Sequence, residues 1–541
     1  MSTDLGLFTD LYELRMVQSY LRRGMLADAT FSLYARPSTR RPWLVAAGLH
    51  AALDRLERFR YDAAALDYLR GLGVDAPTLE WLADFEPRAD VWAVPEGTVV
   101  LANEPILEIT GPLPDVQLLE ATLMNVVHLW TVIATKAARC CLAAGGRPVV
   151  DFGMRRAHGL ETAVDAALAA YVGGCAATSN LEAGRRGGIP VVGTMAHSYV
   201  QAHTDELSAF RAFAADFPDT SVLLVDTYDT LTGVRNAVVV ADELRAHGHR
   251  LRGVRLDSGD LGALATAART LLDAAGHHDV EILASGGLDE AVIAALRDAP
   301  INSFGVGTAL TVSKDLPALD IAYKLVDYDG IPRAKYSEGK ELLPGRKQVF
   351  RTGDPSGDVL GCHGESHAGR PLLHPAYQLG HRLDRDTLTV ARQRALAEIR
   401  QLPPAWQTPE PVDPVPQPAL SPKLRALAGE ARRRTVGSPG TTTSTRDGEG
   451  GNVMEESKVL TIEVLLDESI DRTDAKAITS IRGQRFAGWG RAKRNPSDPH
   501  VPKVGEELAT ARALSDLSHQ LLDAACKRIE EFEGHPVHVH P

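Results

Sequence analysis

The sequence predicts an α/β protein built on a parallel sheet, with a separate α+β module behind it. Short apolar runs alternate with helical stretches between residues 148 and 307, the pattern of repeated βα units. Nearly every one of those runs ends in Asp, Ser, Gly or Thr, which suits the ligand-facing edge of such a sheet. A tract rich in proline and then threonine, 403–452, separates a long first region from a last one that regains strand and helix patterns.

The first region opens with a helix over 10–23, capped by Thr9, with apolar Leu11, Leu14, Val17 and Leu21 on one side. Strand-like 99–101 and 106–109 follow, then a long apolar helix over 115–144. The parallel strands are expected at 148–152, 189–193, 222–226, 253–257, 281–285 and 303–307. They form a sheet that is either closed as a barrel or open. A hairpin over 325–336 turns at Asp329-Gly330. Within the proline-rich tract, 422–434 reads as a short basic helix and the rest as a linker with little core of its own. The last region reads strand, strand, strand, helix over 459–467, 475–481, 486–492 and 506–533.

Bulk composition narrows the function. The chain has 541 residues, enough for two or three domains, and its 44% hydrophobic and 24% charged content is that of an ordinary soluble protein. A net charge of -12 gives no general reason to expect nucleic acid. Met1-Ser2-Thr3-Asp4 lacks a basic leader and no apolar run reads as a membrane span, so a cytoplasmic location is expected. None of the five cysteines forms a CxxC pair, which argues against a zinc knuckle or a disulfide framework.

Chemistry concentrates at the strand ends. Gly193-Thr194 closes an apolar run, and His197 follows; a His there can act as base, metal ligand or nucleophile. It lies on no metal-spacing motif. Arg255 and Asp257 share one side of their strand, so both can face the mouth, where an Arg suits a carboxylate or phosphate. Asp260 can cap the next helix while Asp257 faces ligand. Two consecutive glycine turns, Ser285-Gly286-Gly287 and Gly305-Val306-Gly307-Thr308, present backbone N–H groups suited to phosphate. Arg155 and Arg156, just past Asp151, form a further anion site at the edge.

These pieces occur in one order: Phe8-Thr9-Asp10-Leu11-Tyr12, Ala47-Gly48-Leu49, Asp151 to Arg156, Gly193 to Ser198, Val254 to Asp260, Ala284 to Gly287 and Phe304 to Thr308. In that order the chain resembles the nicotinate phosphoribosyltransferase family over about residues 4–352. The resemblance implies a type II phosphoribosyltransferase fold: an N-terminal α/β domain over 1–130, with segments of 325–400 packed on it, and an α/β barrel over 131–324. It implies that nicotinate and phosphoribosyl pyrophosphate give nicotinate mononucleotide and pyrophosphate in NAD salvage, driven by ATP through a phosphohistidine at His197. Asp257 and Arg155 join it as catalytic residues. Tyr12, Thr194 and Arg255 fall on nicotinate contacts, with Tyr12 arriving from the second subunit of a homodimer. Ser285, Gly286, Gly287, Gly305, Gly307, Thr308 and Asp260 fall on phosphoribosyl or phosphate contacts. Mg²⁺ is expected to come with the phosphates of ATP and phosphoribosyl pyrophosphate, with no protein metal site. Rivals are an enzyme acting on nicotinamide or on quinolinate.

The last region, 453–541, resembles a family of small actinobacterial proteins of unknown function, the DUF1876 type. Matching pieces are Arg491 to Asp498 and Val501 to Leu517. The run from Arg482 to Arg494 holds five bases, no acid, Phe486 and Trp489, so RNA or ribosome contact is an alternative reading. Met454 stands near the start of the module, as expected of a once-separate protein fused to the enzyme or of an introduced fusion.

Overall fold

The computed structural model describes residues 5–336, 341–384, 386–436, 462–469, 472–481, 484–493 and 502–533. They divide into two units, Met1–Gly440 and Thr441–Pro541. A helix of 24 residues, Glu120–Ala143, is the spine of the first unit. It is long and apolar enough to cross a membrane, contrary to the expectation that no such run exists, yet 78% of its most apolar window is buried inside the protein. It is therefore a core helix. The single helix expected over 115–144 is two: a short Leu113–Gln117 precedes it.

Six parallel strands make the barrel wall. In spatial order they are Ala177–Thr178, Val149–Asp151, Ser303–Val306, Glu281–Ser285, Gly253–Leu256 and Val222–Leu224. Five of the six expected strands lie within this wall. The sixth, 189–193, does not form. Only Val191 bridges to Thr178, and Val191 and Val192 are 41% and 43% exposed. Pro190 has no N–H to give a ladder, so the segment trails along the edge as an irregular seventh stave. The true strand there, Ala177–Thr178, carries no apolar run long enough to be legible.

Aspartates terminate the wall. Asp229, Asp260 and Asp289 each cap the following helix by accepting a backbone N–H at 2.8–3.1 Å. All parallel strands therefore deliver polar turns to one edge.

The smaller domain is a seven-stranded antiparallel sheet. Its order is Ile331–Pro332, Ile321–Tyr328, Asp28–Ala35, Pro105–Pro112, Asp90–Ala93, His374–Gln378, His381–Arg382. Asp329 and Gly330 both take left-handed backbone angles, as a two-residue type I′ hairpin requires.

The linker expected over 401–452 needs correction. Residues 401–436 pack on the enzyme: the Trp406 carbonyl accepts from the Trp43 indole at 2.9 Å, and Ala419–Leu420 pairs in parallel with Val359–Leu360. Helix Pro422–Val436 buries Leu424 completely. The prolines hid the apolar residues between them. Residues 437–452 lie outside the described residues, as does Met454.

The second unit is a three-stranded antiparallel sheet, Glu463–Ser469, Arg472–Ile481 and Gln484–Lys493, with helix Pro502–Glu533 on one face. Ala509, Ala513 and Leu517 pack on Ala475, Ala477, Phe486 and Ala492. This is the β-β-β-α order read from the sequence. Residues 459–461, Arg482 and 494–501 lie outside the described residues.

Thr9 does not cap the first helix, Leu11–Arg22. Asp10 holds the cap position, and the Thr9 hydroxyl instead donates to Glu13, which also accepts the Ala121 N–H at 3.0 Å. Glu13 has no exposed surface. Burial outweighs the Thr9 bond and pushes its carboxyl up to about 7 from 4.5. Folded Glu13 thus holds a proton that the unfolded chain releases as pH passes 4.5, and stability falls from there up to about pH 7. Glu13→Gln is expected to remove this dependence and to stabilise by about 1–3 kcal/mol above neutrality, with little change near pH 5. Denaturant unfolding at both pH values measures it; parallel profiles for the two proteins would contradict it.

Candidate active site

At the strand edge one guanidinium gathers the mouth. Arg255 donates from Nε to Ser285 Oγ at 2.8 Å, from Nη1 to Thr194 Oγ1 at 3.0 Å and from Nη2 to Asp257 Oδ1 at 2.7 Å. Its side chain is 12% exposed, and the group lies 5.4 Å from the Phe152 ring centre. Asp257 also accepts from Ser285 at 2.5 Å. Burial alone would raise the Asp257 carboxyl. The hydrogen bonds from Ser285 and Arg255 win and hold it below the ordinary range, so it remains a carboxylate.

The first glycine turn rests against this cluster. Gly286 has a φ of 86°, and a Cβ there would lie 1.8 Å from the Asp257 carbonyl oxygen. Only glycine fits. The second turn works differently. A Cβ on Gly305 would come within 2.4 Å of the Phe152 ring, so this glycine makes room for an aromatic face. Gly307 and Thr308 continue into the short helix Thr308–Thr311. Asp260 uses Oδ1 as the helix cap and does not join the Arg255 cluster.

His197 is the first residue of helix His197–Gln201, after an irregular run rather than at a strand end. Its Nδ1 shares a hydrogen bond with Thr227 Oγ1 at 3.1 Å, and Nε2 lies 3.9 Å from Asp257 Oδ2. Thr227 follows the last strand of the wall, so this contact spans the wall's two ends. The His197 side chain is 42% exposed, open to a reactant. Asp226 braces the arrangement: its Oδ2 accepts from the Asp257 N–H at 3.0 Å and the Ser258 hydroxyl at 2.6 Å. Asp151 is structural. It accepts from Gly153 and Thr178, and burial raises its carboxyl above the usual range.

The structure thus brings together Thr194, His197, Arg255, Asp257, Ser285 and Gly286. It leaves Arg155 exposed on the turn Met154–Arg156, outside the hydrogen-bonded cluster. Tyr12 also stands apart, 48% exposed beside Leu7, Phe8 and Leu11. Phe152 and Thr227 were not singled out by sequence, whereas Asp226 is one of the polar strand ends that the sequence marks. Phe152 lies inside a recognised motif; Thr227 carries no local signal. Among the described residues no group of three or more His, Cys, Asp or Glu could hold a metal. In the second unit, Arg491 of the basic run pairs with Asp474, which Arg472 also reaches.

Residues 7–128 match the model of the nicotinate phosphoribosyltransferase N-terminal domain, and residues 148–347 that of the nicotinate phosphoribosyltransferase family. Residues 458–538 match the Rv2632c-like family. A nicotinate phosphoribosyltransferase of Mycobacterium tuberculosis, pncB2, is 51% identical over 416 residues, 75% of this chain and 89% of that protein. The Bacillus subtilis nicotinate phosphoribosyltransferase is 42% identical over 398 residues, covering 69% and 80%. The crystal structure of human nicotinic acid phosphoribosyltransferase superposes with a TM-score of 0.69 at 29% identity, over 78% of this chain and 99% of that one.

The two adjacent glycines of the first turn should respond unequally to a methyl group. Gly286→Ala meets both left-handed strain and the Asp257 carbonyl; Gly287→Ala, with nothing within 4 Å, meets strain alone. Gly287→Ala is expected to cost about 1 kcal/mol and Gly286→Ala roughly 2 kcal/mol or more. Thermal unfolding compares them, and equal losses would contradict the packing described.

Proposed function

The chain belongs to the nicotinate phosphoribosyltransferase family, and from that premise we propose that its Arg255 mouth joins nicotinate to phosphoribosyl pyrophosphate. The products are nicotinate mononucleotide and pyrophosphate. The observation that carries this reading is the nearly buried Arg255 guanidinium, fixed by Thr194, Asp257 and Ser285 beside the face of Phe152. A planar aromatic acid needs a fixed cation for its carboxylate and a flat face for its ring. Guanidinium has five N–H donors, so Arg255 keeps donor capacity beyond its three short bonds. Thr194 sets the position of that cation and offers its own hydroxyl to the same substrate.

With nicotinate so held, its ring nitrogen forms a bond to the ribose C1′ while the bond to pyrophosphate breaks, the electron pair leaving with pyrophosphate. Positive charge develops at C1′, and the low-lying Asp257 carboxylate is there to stabilise it. The Ser285–Gly287 turn, the Gly305–Thr308 turn and Asp260 cradle the phosphoribosyl group. Arg155, exposed at the rim, meets the departing anion. Mg²⁺ would enter with the phosphates, where it neutralises their charge, and Asp257 supplies a carboxylate oxygen suited to it.

His197 accepts the γ-phosphoryl group of ATP. A lone pair on its neutral imidazole forms the N–P bond as the bond to the ADP oxygen breaks. Thr227 and Asp257 hold the ring for this step. Tyr12 serves the mouth of a second subunit, which makes the enzyme a homodimer. The apolar Leu7, Phe8 and Leu11 around it are exposed at 45%, 68% and 46%, as an interface would need. A cytoplasmic location goes with these substrates. Nicotinamide would leave Arg255 without its anion, and quinolinate would bring a second carboxylate to a cluster with one cation.

Product formation from nicotinate, nicotinamide and quinolinate, with and without ATP, tests the reading. Nicotinate is expected to be preferred and ATP to stimulate turnover. His197→Ala is expected to lose the stimulation and the acid-labile label from γ-labelled ATP. Label persisting in that variant would move the phosphoryl acceptor elsewhere, and failure to form nicotinate mononucleotide would overturn the reading.

A further inference from the structure

The two glycine turns leave the sheet side by side. The strands before them pair as far as Ser285 and Gly305. Beyond that pair, no backbone hydrogen bond joins the two turns among the described residues. What joins them lies behind, on the spine helix. Lys136 of that helix donates to Glu290 and, at 2.7 Å, to Asp315. Glu290 opens the helix Glu290–Ala295, just after the first turn. Asp315 follows the helix Thr308–Thr311, which continues the second turn. The Lys136 side chain is 2% exposed, Glu290 6% and Asp315 37%. Burial alone would discharge the ammonium; the two carboxylates outweigh it and hold Lys136 above its ordinary range.

Each carboxylate also has an arginine of its own. Arg139 donates to Glu290 from Nε at 2.9 Å, and Arg41 to Asp315 from Nη1 at 2.8 Å. Charge on either side is therefore compensated without Lys136, whereas joining the two sides requires it. The second side is held firmly. Ser313 is fully buried in a left-handed backbone with φ 41°; its hydroxyl accepts from Arg41 at 3.2 Å and donates to the Leu316 carbonyl at 2.8 Å. Such strain persists only where the surroundings fix it.

We propose that Lys136 is a positioning residue for the phosphoribosyl group: it sets the spacing of the Ser285–Gly287 and Gly305–Thr308 turns and so governs affinity for phosphoribosyl pyrophosphate without touching it. The proposal rests on the reading of those turns as the phosphoribosyl cradle. Groups that grip one ligand from two sides lose up to about 100-fold when displaced by about 1 Å. Ser285 itself is pinned by the ladder, so the Arg255 cluster that holds nicotinate does not depend on that spacing.

Calorimetry on the full chain with Mg²⁺ gives the Kd of phosphoribosyl pyrophosphate and of nicotinate, and steady-state kinetics the KM of each. Lys136→Met is expected to raise both constants for phosphoribosyl pyrophosphate about tenfold and to leave those for nicotinate within about twofold. Arg139→Met removes an ion pair of the same Glu290 but keeps the bridge, and should leave both ligands near wild type. Glu290 and Asp315 keep their arginines in Lys136→Met, so it is expected to fold. Lys136→Gln, shorter and uncharged, is the second variant and should give the same shift. An unchanged Kd for phosphoribosyl pyrophosphate in either folded variant, an equal rise for nicotinate, or the same rise in Arg139→Met would overturn the proposal. Failure of both Lys136 variants to fold would overturn it too, by making Lys136 a residue of the fold alone. A wild-type chain that does not bind phosphoribosyl pyrophosphate would overturn it together with the reading of the turns. One that binds it but forms no nicotinate mononucleotide would overturn the proposed reaction alone.

Discussion

A guanidinium almost out of water must have its donors satisfied, and at Arg255 that requirement orders the whole mouth. Ser285, Thr194 and Asp257 come from three different segments and all bond this one group. Buried charged hydrogen bonds are among the stronger polar contacts, and breaking one strands its partner. The Asp257 carboxylate is kept ionised by the same bonds. It then stands 3.9 Å from His197, so the Arg255 guanidinium and the exposed imidazole are linked through one side chain.

The surrounding fold keeps this cluster in register. Parallel strands deliver Arg255 and Ser285 to one edge, and aspartate caps begin the helices behind them. Gly286 lets its turn lie on the Asp257 carbonyl, and Gly305 lets the Phe152 ring lie along the wall. Deeper in, the Lys136–Glu290–Asp315 pairs tie the helix after the first glycine turn to the segment after the second. A buried ion cluster of this kind is costly to desolvate. Here it fixes the separation of the two glycine turns.

The parallel wall was legible because its strand ends are chemically marked. Asp257-Ser258-Gly259-Asp260 announces a strand end, a carboxylate of the Arg255 cluster and a helix cap in four residues. The stretch 189–193 misled because apolar content was read as burial, although Pro190 cannot complete a ladder. The tract 401–436 misled for the opposite reason: proline count masked Trp406, Leu420 and Leu424, which pack on the enzyme. Phe152 and Thr227 were hidden in another sense. Thr227 gains its role from His197, 30 residues away in sequence.

The role of Arg255 as reader of the substrate carboxylate bears most of the weight and has a direct measurement. Arg255→Gln keeps a planar donor and removes the charge, so the ratio of kcat/KM for nicotinate over nicotinamide isolates the carboxylate contact. The expected result is a fall in that ratio of about 100-fold or more, with nicotinamide affected least. A folded variant that keeps the wild-type preference for nicotinate would contradict it.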